Sequence, residues 1–167
     1  VLEALSVLHA EGIVHRDIKP ENIVIHRSST GPVVKLLDLG VCAFVDDLKR
    51  TKGGSRRGKL TSSGLWIGTP CYMSPEQVDG RGVDARTDVY GAGVVLYECL
   101  TGRTPFEGAS TVDIVTAVLR RPVIPPGVLR EGCPRDLDAL VLKAVARDPR
   151  ARPQTAAELS NALAAIA

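Results

Sequence analysis

The segment from Val83 to Leu100 restricts the possible folds of this chain more than any other. Its apolar side chains surround almost the whole circumference of a helix, at Val89, Tyr90, Ala92, Val94, Val95, Leu96, Tyr97 and Leu100. A helix that is apolar on all sides is stable only when other elements cover it. The apolar run is also too short to cross a bilayer, which takes about 20 residues. The pattern therefore predicts the buried central helix of a globular domain.

Apolar periodicity elsewhere predicts four further helices, over 1–11, 111–120, 137–146 and 155–166. Thr155 and Glu158 fit a capping box at the start of the last of these helices. Two short apolar runs between residues 23 and 37 are separated by the turn-like segment 28–32, which predicts a β-hairpin. The chain is therefore predicted to be a single, mostly α domain that combines one short β-hairpin with about five to six helices.

The composition supports a globular domain and argues against other classes of protein. The chain has 167 residues, of which 44% are apolar, and this is enough for the core of one ordinary domain. Its four cysteines, Cys42, Cys71, Cys99 and Cys133, stand far apart without a C-x-x-C pair. We therefore expect reduced thiols in a cytoplasmic protein and not a zinc site. The N-terminal residues contain no basic n-region and no start Met, so we expect no signal peptide.

The distribution of charge argues against a nucleic-acid partner. A net charge of +2 gives no basic surface of the kind that binds nucleic acids. Six Lys and Arg residues fall within 49–59 without an acidic residue, inside the polar segment 46–64. This basic run predicts an exposed loop or, alternatively, a patch that docks an acidic partner. It lacks the interleaved aromatic residues that stack on bases.

The residues that can carry chemistry are concentrated in the segment 15–22, H-R-D-I-K-P-E-N. Asp17 can accept a proton from a hydroxyl group, Lys19 can neutralise charge on a phosphate, and Asn22 offers an amide oxygen to a metal ion. The predicted hairpin can bring a second acid, Asp38, back beside Asn22. Together these two residues suit Mg²⁺, which prefers hard oxygen ligands and keeps bound phosphates. The alternative is a polar loop with Asx turns, in which Asp38 merely caps a strand.

The order and spacing of several motifs resemble the protein kinase superfamily. Residues 15–22 match the catalytic loop H-R-D-x-x-x-x-N, residues 38–40 match D-F-G with leucine for phenylalanine, and residues 74–76 match A-P-E. Residues 88–93 are similar to the D-x-W-S-x-G stretch of the family's central helix. Arg152 stands where kinases carry the arginine that pairs with the A-P-E glutamate. The resemblance covers essentially the whole chain and implies the C-terminal lobe of the α+β kinase fold.

The resemblance also implies a role for each matching polar residue. Asp17 is then the catalytic base that orients the substrate hydroxyl, and Lys19 contacts the transferring phosphate. Asn22 and Asp38 hold Mg²⁺ beside ATP. A lysine at position 19 is typical of the serine/threonine branch. The family further implies structural roles for His15, which braces the loop, for Asp88, which accepts backbone N–H bonds from it, and for Glu76 with Arg152, which form a buried pair.

The same resemblance makes residues 38–76 the activation segment and points to regulation. Arg16, directly before Asp17, is expected to pair with a phosphate on this segment. Thr61, Ser62, Ser63 and Thr69 are either plain loop hydroxyls or phosphorylation sites. Thr69 carries the least weight as a phosphorylation site, because it also resembles the threonine of the serine/threonine substrate-binding segment, which bonds toward Asp17 and Lys19.

The chain lacks the glycine-rich loop and the V-A-I-K lysine that the family carries in its N-terminal lobe. We therefore expect residues 1–167 to be a C-terminal lobe fragment that is inactive alone. The parent is expected to be a bacterial, eukaryotic-like serine/threonine kinase that phosphorylates protein hydroxyls. We expect it in the cytoplasm or anchored at the cytoplasmic face of a membrane. The alternative is a non-catalytic interaction module. The intact set of Asp17, Lys19, Asn22 and Asp38 favours a functional parent.

Overall fold

The computed structural model of the chain describes residues 1–29, 31–38, 43–44 and 70–166. Its helices are α1 (Leu2–Ala10), α2 (Pro75–Val78), α3 (Ala85–Thr101), α4 (Thr111–Arg120), α5 (Pro126–Leu129), α6 (Arg135–Ala144) and α7 (Ala156–Ala164). Its strands are β1 (Ile13–Val14), β2 (Ile23–Ser28), β3 (Gly31–Leu36) and β4 (Ala43–Phe44). Single 3₁₀ turns occupy Pro20–Asn22, Pro70–Tyr72 and Pro149–Ala151. The prediction of a mostly α chain with one short hairpin is confirmed.

Helix α3 is the centre of the fold, but it is buried on all sides only in its first half. It packs against α1, α6 and α7. Val89, Tyr90 and Val94 are fully buried, whereas Val95 is half-buried and Cys99 is exposed. The expectation of burial along the whole helix is therefore wrong for its C-terminal half. One side of that half is left uncovered by the described elements.

Helix α4 has the predicted bounds 111–120, whereas the ends of the other predicted helices differ from the structure by one or two residues. The caps explain some of these differences. Helix α3 begins at Ala85 and not at Val83, because the Asp84 side chain caps it by accepting the Arg86 N–H at 2.9 Å. At α7 the Thr155 hydroxyl accepts the Glu158 N–H, as the capping box requires. The Glu158 carboxylate, however, accepts the N–H of Gln154 at 2.7 Å. In a capping box the Glu158 side chain would accept the N–H of Thr155, so this second bond of the predicted box is displaced by one residue.

Strands β2 and β3 form the predicted antiparallel hairpin, in which Ile23 pairs with Leu36 and Ser28 pairs with Gly31. The pairing continues to Ser28 and resumes at Gly31, so the turn is shorter than the predicted segment 28–32. The Ser28 hydroxyl donates a hydrogen bond to the Gly31 carbonyl at 2.7 Å and closes the turn. Strand β1 pairs with β4, which was not predicted because two-residue strands carry no periodicity.

Two close backbone approaches fix the position of α3. An added Cβ at Gly91 would lie 2.9 Å from the Ile18 Cβ, and one at Gly93 would lie 2.7 Å from the Ala144 Cβ. Only glycine permits these distances, so α3 touches the 15–22 loop on one side and α6 on another. Among the described residues, no helix has the length and hydrophobicity that crossing a bilayer requires.

Candidate active site

Two side chains of the 15–22 loop, those of Lys19 and Asn22, converge on one carboxylate oxygen of a third, Asp17. Lys19 Nζ lies 2.7 Å from Asp17 Oδ2, and Asn22 Nδ2 donates to the same oxygen at 3.0 Å. Asn22 Nδ2 also donates to the Asp17 backbone carbonyl at 2.8 Å. The 3₁₀ turn Pro20–Asn22 brings Asn22 back to Asp17 and leads directly into β2. The structure therefore brings together three of the residues that the sequence singled out.

Asp38 stands beside Asn22 because of the register of the hairpin. The Leu37 N–H, directly after β3, donates to the Asn22 carbonyl at 2.8 Å, and Asp38 is the next residue in the chain. Asp38 is exposed and has a φ of 61°, a left-handed conformation that is costly for a residue with a Cβ. Strained backbone of this kind is concentrated at functional sites. The site thus offers an amide oxygen and a carboxylate at one end of the hairpin.

Asp88, in the first turn of α3, binds the backbone at the start of the 15–22 loop. Its buried carboxylate accepts the His15 N–H at 2.8 Å and the Arg16 N–H at 2.7 Å. His9 Nε2, in the last turn of α1, lies 2.8 Å from Asp88 Oδ2. Sequence reasoning assigned Asp88 to the loop but missed His9. The available signal was a histidine in the last turn of the helix that precedes the loop.

His15 is fully buried and links the loop to the end of β3. Its Nδ1 lies 3.3 Å from the Asp17 nitrogen, and its Nε2 lies 3.0 Å from the Leu37 carbonyl oxygen. Because Nδ1 accepts the Asp17 N–H, the Nε2–H donates to Leu37. The ring thereby ties the backbone of Asp17 to Leu37, the residue directly before Asp38. This geometry suits a bracing side chain that does not itself meet a substrate.

Glu76 and Arg152 form a buried, bidentate ion pair that joins α2 to the segment before α7. Arg152 Nη1 lies 2.7 Å from Glu76 Oε1, and Nη2 lies 2.8 Å from Oε2. The Thr87 hydroxyl donates to Glu76 at 2.9 Å, and the Arg152 guanidinium lies 4.9 Å from the centroid of the Tyr90 ring. Burial alone raises the pKa of the Glu76 carboxyl, but the hydrogen bonds and charge of Arg152 outweigh it and lower that pKa.

A second contact between the segment after residue 69 and α3 was not predicted from the sequence. The Tyr72 hydroxyl donates to Glu98 Oε2 at 2.6 Å. Burial and this bond to a carboxylate raise the pKa of Tyr72, so the phenol stays protonated as the donor. The contact fixes the turn Pro70–Tyr72 against the central helix.

Several residues that the sequence singled out lie outside the described residues. They are Cys42, the D-L-G leucine and glycine, the basic run 49–59, and the hydroxyl residues Thr61, Ser62, Ser63 and Thr69. Arg16, the expected partner of a phosphate, is described. It has a φ of 71° and is held by Asp88 through its N–H.

Comparison with known proteins gives one family and several relatives. The model of the protein kinase domain matches residues 1–163. The serine/threonine-protein kinase PknB of Mycobacterium tuberculosis is 46% identical over 157 residues, which are 94% of this chain and 23% of that protein. The serine/threonine-protein kinase Pkn1 of Myxococcus xanthus is 40% identical over 164 residues, 98% of this chain and 22% of that protein. The chain therefore spans less than a quarter of the length of these relatives.

Proposed function

This chain belongs to the protein kinase family, and we propose that it forms the C-terminal lobe of a serine/threonine kinase that transfers the γ-phosphoryl group of ATP to protein hydroxyls. The observation that supports this best is the convergence of Lys19 and Asn22 on one oxygen of Asp17. The similar bacterial proteins carry the name of serine/threonine kinases, which supports the same substrate class.

Asp17 is the group that we assign to orient the attacking hydroxyl and to accept its proton. Within the described part of the chain, both side-chain contacts of the carboxylate fall on Oδ2. The other oxygen, Oδ1, is then the one that faces the hydroxyl. A carboxylate held in one orientation serves better than a mobile one, because phosphoryl transfer depends chiefly on positioning and on electrostatic stabilisation.

Lys19 has two roles in this proposal. It holds Asp17 while the site is empty of substrate, and it turns its ammonium group to the transferring phosphoryl group when substrate is bound. Its side chain is 17% exposed, so the ammonium group is open to solvent on one side. A lysine acts here as a mobile point charge on a flexible stem. It can balance the charge that develops on the phosphoryl oxygens.

The residues present fit Mg²⁺, which the family uses together with ATP. Asn22 Nδ2 is committed to Asp17, so the amide turns its Oδ1 away from the loop as a possible ligand. Asp38 offers an exposed carboxylate next to it. Asn22 and Asp38 would hold the ion, since Mg²⁺ takes oxygen ligands and one or two carboxylates with phosphates. Bound there, it would neutralise charge on the β- and γ-phosphates.

Regulation and location form the remaining part of the proposal. Arg16 is the expected partner of a phosphate on Thr61, Ser62, Ser63 or Thr69, because guanidinium groups bind phosphate bidentately. The free thiols Cys71, Cys99 and Cys133 fit a reducing compartment, so we place the domain in the cytoplasm or at the cytoplasmic face of a membrane. ATP binding and activity are proposed for the complete kinase domain, in which an N-terminal lobe supplies the remaining nucleotide contacts.

The test uses this chain joined to the N-terminal lobe of a related kinase, assayed with ATP and Mg²⁺ on Ser, Thr and Tyr peptides. We expect phosphorylation of Ser and Thr but not of Tyr. Asp17→Asn should lower kcat by about 10²- to 10⁴-fold, the usual contribution of a general base. Asp136→Asn is the matched control, since Asp136 is exposed in the first turn of α6. A folded fusion without kinase activity would contradict the proposal and favour the interaction module.

A further inference from the structure

Three hydrogen bonds hold the backbone of Arg16 and Asp17, and two of them fall on the peptide unit that joins these residues. The Arg16 N–H donates to Asp88 Oδ1 at 2.7 Å. The Arg16 carbonyl accepts a hydrogen bond from Gln77 Nε2 at 2.7 Å, and the Asp17 N–H is directed to His15 Nδ1 at 3.3 Å. Arg16 has a φ of 71°, which a residue with a Cβ adopts only when its surroundings enforce it. The conformation that presents Asp17 therefore depends on these contacts.

Gln77 is itself fixed, because its side chain takes part in the cap of α2. Its Oε1 accepts the Ser74 N–H at 3.0 Å, and its own N–H donates to Ser74 Oγ at 3.4 Å. The neighbouring Glu76 is bound to Arg152 by two hydrogen bonds. One amide group thus connects a helix that is anchored in the protein core to the backbone of the 15–22 loop.

A second capping box in the chain shows that the cap alone does not require an amide. At the start of α4, Ser110 occupies the position of Ser74, and Asp113 occupies the position of Gln77. Asp113 Oδ2 accepts both the Ser110 N–H at 3.0 Å and the Ser110 hydroxyl at 2.8 Å. A carboxylate accepts but cannot donate, and that is sufficient there. Position 77 needs an acceptor for Ser74 and a donor for Arg16, and only the amide combines them on one group.

We propose that Gln77 is a positioning residue for the catalytic base. Its amide fixes the peptide unit that carries Asp17 and so couples α2 to the orientation of the Asp17 carboxylate. This inference rests on the proposed function, because it concerns the base assigned there. Through Gln77, a change in the position of α2 reaches the backbone that carries Asp17 along a single side chain.

The kinetic test compares four versions of the fusion protein: the parent, Gln77→Glu, Gln77→Met and Asp113→Ala. Gln77→Glu keeps the acceptor for Ser74 but replaces the donor with a charged oxygen that repels the Arg16 carbonyl. Because the cap of α2 is kept, its melting temperature should stay near that of the parent. Its kcat should fall by about 10- to 100-fold, as expected for a displaced reacting group, while KM for ATP changes little. Gln77→Met should lose the same kcat and also some stability.

Asp113→Ala is the matched control. It removes the equivalent side chain from a capping box that lies outside the 15–22 loop, so it should lower the melting temperature and leave kcat unchanged. A purely structural role for Gln77 predicts that kcat follows stability in all three variants. An unchanged kcat in Gln77→Glu would overturn the proposal, whatever the melting temperatures are.

Amide hydrogen exchange on the 167-residue chain itself tests the coupling independently of kinase activity. In Gln77→Glu, the amides of residues 15–18 should exchange about two- to tenfold faster, the factor that corresponds to one hydrogen bond. In Asp113→Ala they should exchange at the parent rate. If the parent fusion is inactive, the proposed function fails. Hydrogen exchange alone then tests whether Gln77 couples α2 to the 15–22 loop. Local acceleration then supports the coupling, and parental exchange rates overturn it.

Discussion

The Asp17–Lys19 pair and the Glu76–Arg152 pair have the same separation of charged atoms, 2.7 Å, but lie in opposite surroundings. The side chains of Lys19 and Asp17 are 17% and 25% exposed, whereas those of Arg152 and Glu76 are 0% and 6% exposed. Water and salt partly screen the first pair, which makes it weaker and more readily exchanged than a fully buried pair. The second pair is shielded, so breaking it leaves an uncompensated charge in the interior. An ion pair in a reacting site must open for its substrate, and a structural one must not.

The buried pair uses an arginine and the partly exposed pair uses a lysine, and the chemistry of the two side chains explains why. Arg152 donates to Glu76 with two nitrogens, and its remaining donors reach the carbonyls of Ala146, Arg86 and Arg147. A planar guanidinium can satisfy this many fixed acceptors at once. Lys19 makes one contact to a carboxylate from a flexible stem, which suits a group that changes partner. The comparison therefore predicts separable effects: substitutions at Arg152 or Glu76 act on stability, and substitutions at Asp17 or Lys19 act on kinetics.

The largest expected effect is the loss of stability in Arg152→Ala. Removing one partner of a buried pair costs roughly 3–5 kcal/mol, a large share of the ~5–15 kcal/mol that stabilises a domain. Arg152→Ala should therefore unfold or aggregate the chain, whereas Asp17→Asn should leave its melting temperature nearly unchanged. Thermal melts of the parent and both variants, side by side, measure this difference.

Arg150→Ala provides a matched control two residues away. Arg150 also lies 2.9 Å from a carboxylate, that of Asp148, but its side chain is 85% exposed. Its removal should leave the melting temperature near that of the parent, because exposed ion pairs contribute little. Equal melting temperatures for Arg152→Ala and Arg150→Ala would show that burial does not separate the two kinds of ion pair.

A smaller effect is expected from acid. The pKa of the Glu76 carboxyl is lower in the folded chain than its ordinary value, in spite of its burial, because of Arg152. Such a group stabilises the fold fully above the unfolded pKa, and this contribution is lost as the pH falls through the folded pKa. The difference in unfolding free energy between the parent and Glu76→Gln should therefore be constant at neutral pH and shrink below the ordinary glutamate pKa. Comparing the two proteins removes the parallel contribution of Asp84, whose pKa is lowered by Arg86.

A double-mutant cycle measures the pair itself. Glu76→Ala and Arg152→Ala each break the same contact, so the double variant should lose less stability than the sum of the two single variants. We expect a coupling of about 0.5–3 kcal/mol, the range for residues in direct contact. Denaturant unfolding gives the three differences where the variants remain folded. Strictly additive losses would mean that the two side chains do not interact in solution.

The sequence predicted the long helices and the local part of the site for the same physical reason. Periodicity over ten residues defines a helix such as Thr111–Arg120, and residues that are neighbours in sequence, such as Asp17 and Asn22, meet through a single turn. The four-residue helices Pro75–Val78 and Pro126–Leu129 were missed, because one helical turn carries no period. The two-residue pairing of β1 with β4 was missed for the same reason.

The contacts that join distant parts of the chain were accessible only through the family resemblance or not at all. Glu76 and Arg152 lie 76 positions apart, and only the kinase motifs suggested that they pair. Neither His9 nor Gln77 belongs to a matched motif, and each meets a partner more than 60 positions away. The partner of Gln77 is the backbone carbonyl of Arg16. Every residue type carries this group, so the side chain at position 16 does not indicate the contact. Contacts of this kind depend on the packing of α1 and α2 against the loop.

The smallest expected effect on stability belongs to Lys19→Met, and it completes the comparison of the two pairs. Methionine keeps the length of the stem and removes the charge, so the Asp17 carboxylate loses one partner but stays bonded to Asn22 and open to water. The pair is only partly buried and is screened by water, and screened pairs contribute about 0.2–1 kcal/mol, so the melting temperature of the chain should change by little. In the fusion protein, kcat should nevertheless fall steeply, since the charge on the transferring phosphoryl group is no longer balanced. Melting curves and steady-state kinetics on the same preparations test both parts. A Lys19→Met protein that melts as early as Arg152→Ala would show that the loop pair also carries the fold. One that keeps parental kcat would remove Lys19 from the reaction.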